Sequence, residues 1–287
     1  MASTAKYETI EVRPLAGALG AEIGGVDLAR LRDNQSWSEI HRAFLDYQVI
    51  TFRAQALTLQ DIMAVARRFG EPTHYPFVAA IANYPYIVEI RKEPHETANF
   101  GGTWHSDTTY QPRPPAATLL YAKEVPDFGG DTLFANQYLA YETLSPGLKA
   151  MLAGLKGVNS AGLKRRGGRA AIQGAHASMN TVRVENAEAY EGVHPIVRTH
   201  PETGRKSLYL SRDHTVRFAD MTEAESDPLI DYLANHAVRP DFTCRVRWEK
   251  GTFTVWDNRC TLHCALNDYH GQRRVMQRIT VGGETPV

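Results

Sequence analysis

Apolar residues recur along this chain with two periods, and the period decides the element. Between Ser36 and Tyr47, Ile40, Phe44 and Leu45 fall on one stripe, which predicts a helix turned toward a core. A second helix is predicted from Thr58, a residue type that caps helix starts, to Phe69, with Gly70 ending it. Two more are expected at 144–155, where Ser145-Pro146 supplies the start, and at 223–236. Short alternating or continuous apolar runs predict strands at 49–52, 86–91, 117–122, 132–135, 196–199, 207–210, 242–248, 253–257 and 275–281. Glycines break residues 9–28 into further short strands. Many short strands, with helices gathered mostly early, predict a mainly β fold with flanking helices (α+β), built as a sandwich or double-stranded β-helix (jelly roll). The segment at about 159–192 is rich in Arg, Gly, Ala and Asn and shows little periodicity, so it is expected to form a lid or insert. A chain of 287 residues buries roughly three quarters of its unfolded surface. One domain with insertions fits this length as well as two, and 1–287 is expected to make a single jelly-roll domain.

Composition narrows the function classes. Lys plus Arg and Asp plus Glu number 32 each, with no basic run, which argues against nucleic acid as a partner. No apolar stretch approaches the length of a membrane span, and the first residues carry no apolar signal region, so a cytoplasmic protein is expected. The three cysteines, Cys244, Cys260 and Cys264, are too few for a disulfide framework and lack zinc-site spacing. They are read as reduced.

Chemistry enters at Thr103-Trp104-His105-Ser106-Asp107-Thr108-Thr109-Tyr110. On an extended strand, side chains two apart share a face with their bases roughly 6.5–7 Å apart. His105 and Asp107 can then lean onto one metal while Ser106 faces away. A third ligand must come from a neighbouring strand, and His263 is the candidate. Cys264 beside it should face the other way. Two histidines and one carboxylate make a facial triad that suits non-haem Fe(II) and leaves three positions open. His200-Pro201-Glu202 is a decoy with similar spacing. Pro201, Thr203 and Gly204 around it predict a surface turn between two strands.

Two arginines extend the pattern. Along Gln272-Arg273-Arg274-Val275-Met276-Gln277-Arg278, strand alternation turns Arg274 and Arg278 inward and Arg273 outward. Buried arginines without acidic neighbours are costly unless an anionic ligand neutralises them, and the planar guanidinium grips a carboxylate with two bonds. Thr132, after Gly129-Gly130-Asp131, could add a hydroxyl hydrogen bond. Trp256-Asp257-Asn258-Arg259 is read as scaffold for the loop that presents His263.

Taken together, Gly20-Ala21-Glu22-Ile23, Arg68-Phe69-Gly70, Trp104-His105-Ser106-Asp107, Gly129-Gly130-Asp131-Thr132, Val197-Arg198-Thr199-His200-Pro201, Trp256-Asp257-Asn258-Arg259, His263 and Arg274 resemble the Fe(II)/2-oxoglutarate-dependent taurine dioxygenase family over nearly the whole chain. That family also contains alkylsulfate and phenoxyalkanoate dioxygenases. The resemblance implies Fe(II) held by His105, Asp107 and His263, with 2-oxoglutarate and O₂ as co-substrates. It implies that Thr132 and Arg274 hold the far carboxylate of 2-oxoglutarate. Arg278 would face the acidic head of the substrate or add to 2-oxoglutarate binding. It also implies hydroxylation of a small acid with release of succinate and CO₂, by a dimer or tetramer.

The substrate positions depart from the taurine pattern. Where taurine enzymes place a histidine before a proline and a tyrosine two beyond it, this chain has Tyr75 before Pro76 and then Val78, with His74 one place early. Gly101 replaces their asparagine, and His214 stands at a later aromatic position. With Thr108 and Arg278, these are the candidate substrate-binding residues. The run 242–248 and the ending Thr280-Val281-Gly282-Gly283 look closer to the phenoxypropionate branch. Sulfonates, sulfate esters and aryloxyalkanoates all stay open. The rival readings are a zinc hydrolase using the same triad, a sibling oxygenase that halogenates or desaturates, of which Asp107 disfavours halogenation, and a non-catalytic jelly-roll binding protein.

Overall fold

The computed structural model describes residues 7–162 and 190–287, together with 168, 176, 178–182 and 184. Among these residues the larger sheet has nine strands. Its order across the sheet is Glu11–Pro14, Ala21–Gly24, Val49–Phe52, Phe253–Asp257, Ala117–Glu124, Arg274–Val281, Tyr84–Lys92 and Ala80–Ile81, with Pro72–Thr73 also pairing with Arg274–Val281. A smaller sheet sets Thr132–Asn136 between Thr243–Val246 and Thr261–Ala265. Strands far apart in sequence are neighbours in space, so the ends of the chain close around its middle. The result is the jelly roll the strand pattern predicts, with helices packed outside.

Alternation explains how one strand serves two faces. On the larger sheet Ala117, Leu119, Phe253, Val255, Ile279 and Val281 point outward and join one apolar cluster with Ile40, Phe44, Ile62 and Val65 of the helices Asn34–Tyr47 and Leu59–Phe69. Leu120, Ala122, Trp256 and Met276 point inward and join a second cluster with Phe134 of the smaller sheet. The outer side of that smaller sheet, Ala135 and Leu262, packs on Ile230 and Leu233 of the helix Glu223–Ala237. Buried on both faces, these strands read as continuous apolar runs.

The helix starts follow the capping chemistry. The Thr58 hydroxyl accepts a hydrogen bond from the Asp61 amide while the Asp61 carboxylate accepts one from the Thr58 amide, a reciprocal capping box. Thr58→Ala is expected to cost about 1 kcal/mol, lowering the melting temperature by roughly 2–4 °C. Calorimetry checks it; an unchanged transition would mean the cap adds nothing net.

Several elements differ from expectation. The helix expected at 144–155 is shorter, Pro146–Leu152, and a separate helix, Gln137–Glu142, precedes it, capped by Asn136. Asn136 reads as the polar end of a strand, and its capping role appears only once the chain turns there. Strands at Lys156–Ser160, Glu191–Pro195 and Thr215–Phe218 form a three-stranded sheet that the sequence pattern did not reveal. The first two are antiparallel neighbours flanking the expected lid. The lid itself falls largely outside the described residues.

Candidate active site

The site lies between the two sheets. Ile90, Leu120, Trp256, Arg274 and Arg278 line its cavity from the larger sheet, and Thr132, His263 and Ala265 from the smaller one. Phe100, Gly101, His105 and Asp107 complete the lining from the loop between the strands Tyr84–Lys92 and Ala117–Glu124.

His105 and Asp107 do not lie on a regular strand, contrary to the alternation argument. His105 makes a one-residue antiparallel bridge with His263, each amide donating to the other's carbonyl at 3.0 and 2.8 Å. That reciprocal pair sets the two imidazoles side by side, with ring centroids 4.2 Å apart. Asp107 opens the turn that follows. The expected facing survives, since Ser106 turns away and donates to the Asn258 carbonyl at 2.8 Å. The Asp107 Oδ1 lies 3.9 Å from His105 Nε2 and 3.8 Å from His263 Nε2.

These three residues offer ligand atoms close enough to hold a metal ion. His105 Nδ1 donates to the Thr103 carbonyl at 2.7 Å, which leaves the Nε2 lone pair facing the cavity. The His263 ring packs against Trp256, with centroids 4.9 Å apart. Burial, then the neighbouring His105, pushes His263 well below the ordinary histidine pKa and keeps it neutral, the form that ligates. Burial alone would raise the Asp107 carboxyl. The Arg278 guanidinium, the two imidazoles and the Thr118 hydroxyl outweigh it and hold the carboxyl well below the usual carboxylate range.

Both arginines face inward as the strand pattern predicts, while Arg273 lies toward solvent and pairs with Glu93 and Glu124. The expectation that both lack an acidic neighbour fails for each: Asp131 lies near Arg274 without an ion pair to it, and Arg278 is paired outright. Arg278 Nη2 lies 2.8 Å from Asp107 Oδ1, and its guanidinium sits 4.8 Å above the Tyr75 ring. A contact between residues 171 positions apart is invisible to local patterning. Arg274 is buried over Trp248, its Nε and Nη2 without hydrogen-bond partners. Desolvation lowers its pKa, against the smaller opposing pull of Tyr269 and Asp131. Thr132 accepts from Trp248 Nε1 at 3.0 Å, which leaves its own hydroxyl proton free for the cavity. Gly130 lets these groups approach, because a Cβ there would stand 3.1 Å from the Tyr269 ring and 3.4 Å from Arg274 Cδ. Orphaned donors opposite a two-histidine, one-carboxylate set fit a metal that chelates an anionic co-substrate.

The candidate substrate positions scatter. Gly101 lines the cavity at φ +77°, where any Cβ would press on the His105 ring at 3.4 Å. Tyr75 lies under Arg278, against Phe77 and Phe100. His214 packs against both His105 and Tyr110. Val78 is buried in the inner cluster, and Thr108, at φ +42°, sits in the turn after Asp107. His74 packs at a tilt against Tyr86, ring centroids 4.6 Å apart, outside the lining.

Two networks escaped the sequence reading. His200 does lie in the turn between Val197–Thr199 and Lys206–Leu208, but it is no surface residue. It is 1 % exposed, and its Nε2 lies 2.9 Å from Asp257 Oδ2. Arg259 clamps the same carboxylate and reaches Glu202, so the supposed decoy is the buried brace of the loop before His263. Thr118 and Asn258, behind Asp107, form the other network. Acidic, basic and hydroxyl residues flanking apolar strands were the available signal, but only the pairing of strands shows which of them meet.

A family profile described as "Taurine catabolism dioxygenase TauD, TfdA family" matches residues 11–280. An alpha-ketoglutarate-dependent sulfate ester dioxygenase of Pseudomonas putida is 35 % identical over 280 residues, covering 97 % of this chain and 91 % of that one. An (S)-phenoxypropionate/alpha-ketoglutarate-dioxygenase of Sphingobium herbicidovorans is 32 % identical over 288 residues, covering 96 % and 95 %. The crystal structure of a taurine dioxygenase from Burkholderia xenovorans superposes with a TM-score of 0.82 at 35 % identity, covering 98 % of this chain and 91 % of that one. Identities this even across three named substrate types single out no branch, the phenoxypropionate one included. The described residues contain no helix long and apolar enough to cross a membrane. The chain belongs to the taurine catabolism dioxygenase TauD, TfdA family and is an alpha-ketoglutarate-dependent dioxygenase.

Proposed function

We propose that this protein uses Fe(II), held by His105, Asp107 and His263, to hydroxylate a small organic acid with a largely apolar body. The observation that carries the reading is the pairing of two donor sets across one cavity. Two imidazole nitrogens and a carboxylate oxygen converge at one end, and the unpartnered Arg274 guanidinium faces the same space. When bound, Fe(II) with 2-oxoglutarate supplies O₂ activation, yielding succinate, CO₂ and an oxygenated substrate. The chain's own residues do the positioning. Arg274 and Thr132 would fix the far carboxylate of 2-oxoglutarate, so that its keto acid end is held at the metal rather than left to diffuse. Arg278, anchored by Asp107, would take the acidic head of the substrate.

Ile90, Phe100, Leu120 and Trp256 give the cavity an apolar lining, and further rings pack around Phe100. Tyr75, Phe77, Phe100 and Tyr110 form a chain of edge-to-face rings. Glycine and valine stand where taurine enzymes offer an amide and a phenol. Aryloxyalkanoates and alkyl sulfate esters fit this surface better than taurine does. A zinc hydrolase would leave the Arg274 guanidinium without purpose. We read residues 1–287 as one domain acting as a dimer or tetramer in the cytoplasm, with its three cysteines as thiols rather than disulfides, as a reducing compartment keeps them.

Anaerobic titration tests the reading. Metal-stripped protein given Fe(II) and 2-oxoglutarate should develop a metal-to-ligand charge-transfer band, and aryloxyalkanoates or alkyl sulfates should shift it while taurine does not. Activity restored by Zn²⁺ alone, with no such band, would favour the hydrolase instead.

A further inference from the structure

Three side chains, Trp256, Asn258 and Thr118, form a hydrogen-bonded relay behind Asp107. Trp256 Nε1 donates to Asn258 Oδ1 at 3.0 Å, which fixes the direction of that amide. Asn258 Nδ2 must then point the other way, and it donates to Thr118 Oγ1 at 2.8 Å. With that donation accepted, the single hydroxyl proton of Thr118 goes to Asp107 Oδ2, 2.5 Å away. Trp256, Asn258 and Thr118 are each at most 2 % exposed, so no water competes for these bonds. Asn258 also takes the Ser106 hydroxyl on its carbonyl, bracing the chain immediately before Asp107. An indole N–H, with no second option, thus dictates every later step.

We infer that Thr118 is the positioning residue that makes Asp107 a one-oxygen metal ligand. Oδ2 is engaged by Thr118, while Oδ1 faces His105 and His263 and also takes Arg278 Nη2 at 2.8 Å, which leaves its remaining lone pair for a metal. The inference rests on the metal reading proposed above. A carboxylate free to rotate could close both oxygens on the ion and occupy a position that co-substrate, substrate or O₂ needs. Holding Oδ2 keeps three positions open. Thr118 lies on the strand Ala117–Glu124, paired with Trp256 across the sheet. The tie therefore anchors an irregular loop to the rigid larger sheet.

Co(II) alone is the probe, because its visible spectrum reports coordination without turnover. Thr118→Val keeps the shape and removes the hydroxyl. It should weaken Co(II) binding roughly 10–100-fold and change the position and intensity of the visible bands. Thr118→Ser should restore both. Thr118→Ala is the companion if valine prevents folding, with the same change expected. Should wild type and His105→Ala take up Co(II) equally, the metal reading falls and the relay with it. Should His105→Ala lose Co(II) while the hydroxyl-free variants match wild type in affinity and spectrum, the relay alone is wrong.

Discussion

Asp107→Ala is expected to abolish substrate-dependent succinate formation, with turnover falling on the order of 10³-fold or more, equivalent to about 4 kcal/mol of barrier. The loss has two physical sources. A divalent ion would keep two imidazoles, and the only anionic ligand the protein offers it would be gone. Arg278, whose Nη2 lies 2.8 Å from Asp107 Oδ1, would also lose its partner inside the protein. Stranding a buried charge in this way typically costs about 3–5 kcal/mol, so the variant should melt earlier than wild type. His105→Ala separates the two effects. It removes a ligand without orphaning a guanidinium and should be nearly as inactive, with less loss of stability. Metal content by mass spectrometry and succinate release by chromatography give the readout. Near-normal turnover in either variant, with full metal occupancy, would remove these residues from the metal site.

This pairing of Asp107 with Arg278 shows where sequence reading reached and where it stopped. Inward and outward faces of the strand Arg274–Val281 were legible, because a period of two needs only neighbouring residues. The helix starts at Thr58 and Ser145 were legible for the same reason, since a cap and its amides lie within three positions. His105, Asp107 and His263 were found by residue type and spacing, although the strand offered as the reason is only a single bridge. What stayed hidden depends on which strands become neighbours. Thr118 meets Asn258 because Ala117–Glu124 runs beside Phe253–Asp257, and nothing around residue 118 announces it. His200 looked like a turn residue, which it is. Its burial follows from Asp257 and Arg259 arriving from a distant strand end. Buried polar groups must find partners, so the sequence shows that such partners exist without showing which they are.

Arg274 makes the sharper energetic case, because its substitution should move stability in opposite directions with and without ligand. In the protein alone, Arg274 is 7 % exposed, and two of its guanidinium nitrogens lack acceptors. Desolvation opposes its charge, and Asp131, the nearby carboxylate, is already bonded to Arg245 at 2.5 Å. Such a group destabilises the ligand-free state. Arg274→Met keeps much of the apolar stem and removes the charge, so the ligand-free variant should melt at or above the wild-type temperature. With 2-oxoglutarate the order should reverse. A buried, two-pronged arginine–carboxylate contact is worth about 2–5 kcal/mol when one partner is removed, so affinity should fall at least roughly 30-fold. At a concentration 100 times the wild-type dissociation constant, 2-oxoglutarate stabilises wild type by about 2.7 kcal/mol, and a 30-fold weaker variant by only about 0.9 kcal/mol. Arg274→Lys should fall between, since an ammonium keeps the charge but loses the planar fork. In kinetics the same variants should raise KM for 2-oxoglutarate far more than they lower kcat. Melting curves with and without 2-oxoglutarate, on metal-loaded protein, decide the matter. A variant that keeps the wild-type ligand-induced shift would mean that another residue carries the distal carboxylate. A ligand-free variant that melts well below wild type would mean that Arg274 is held by the protein itself rather than reserved for an anion.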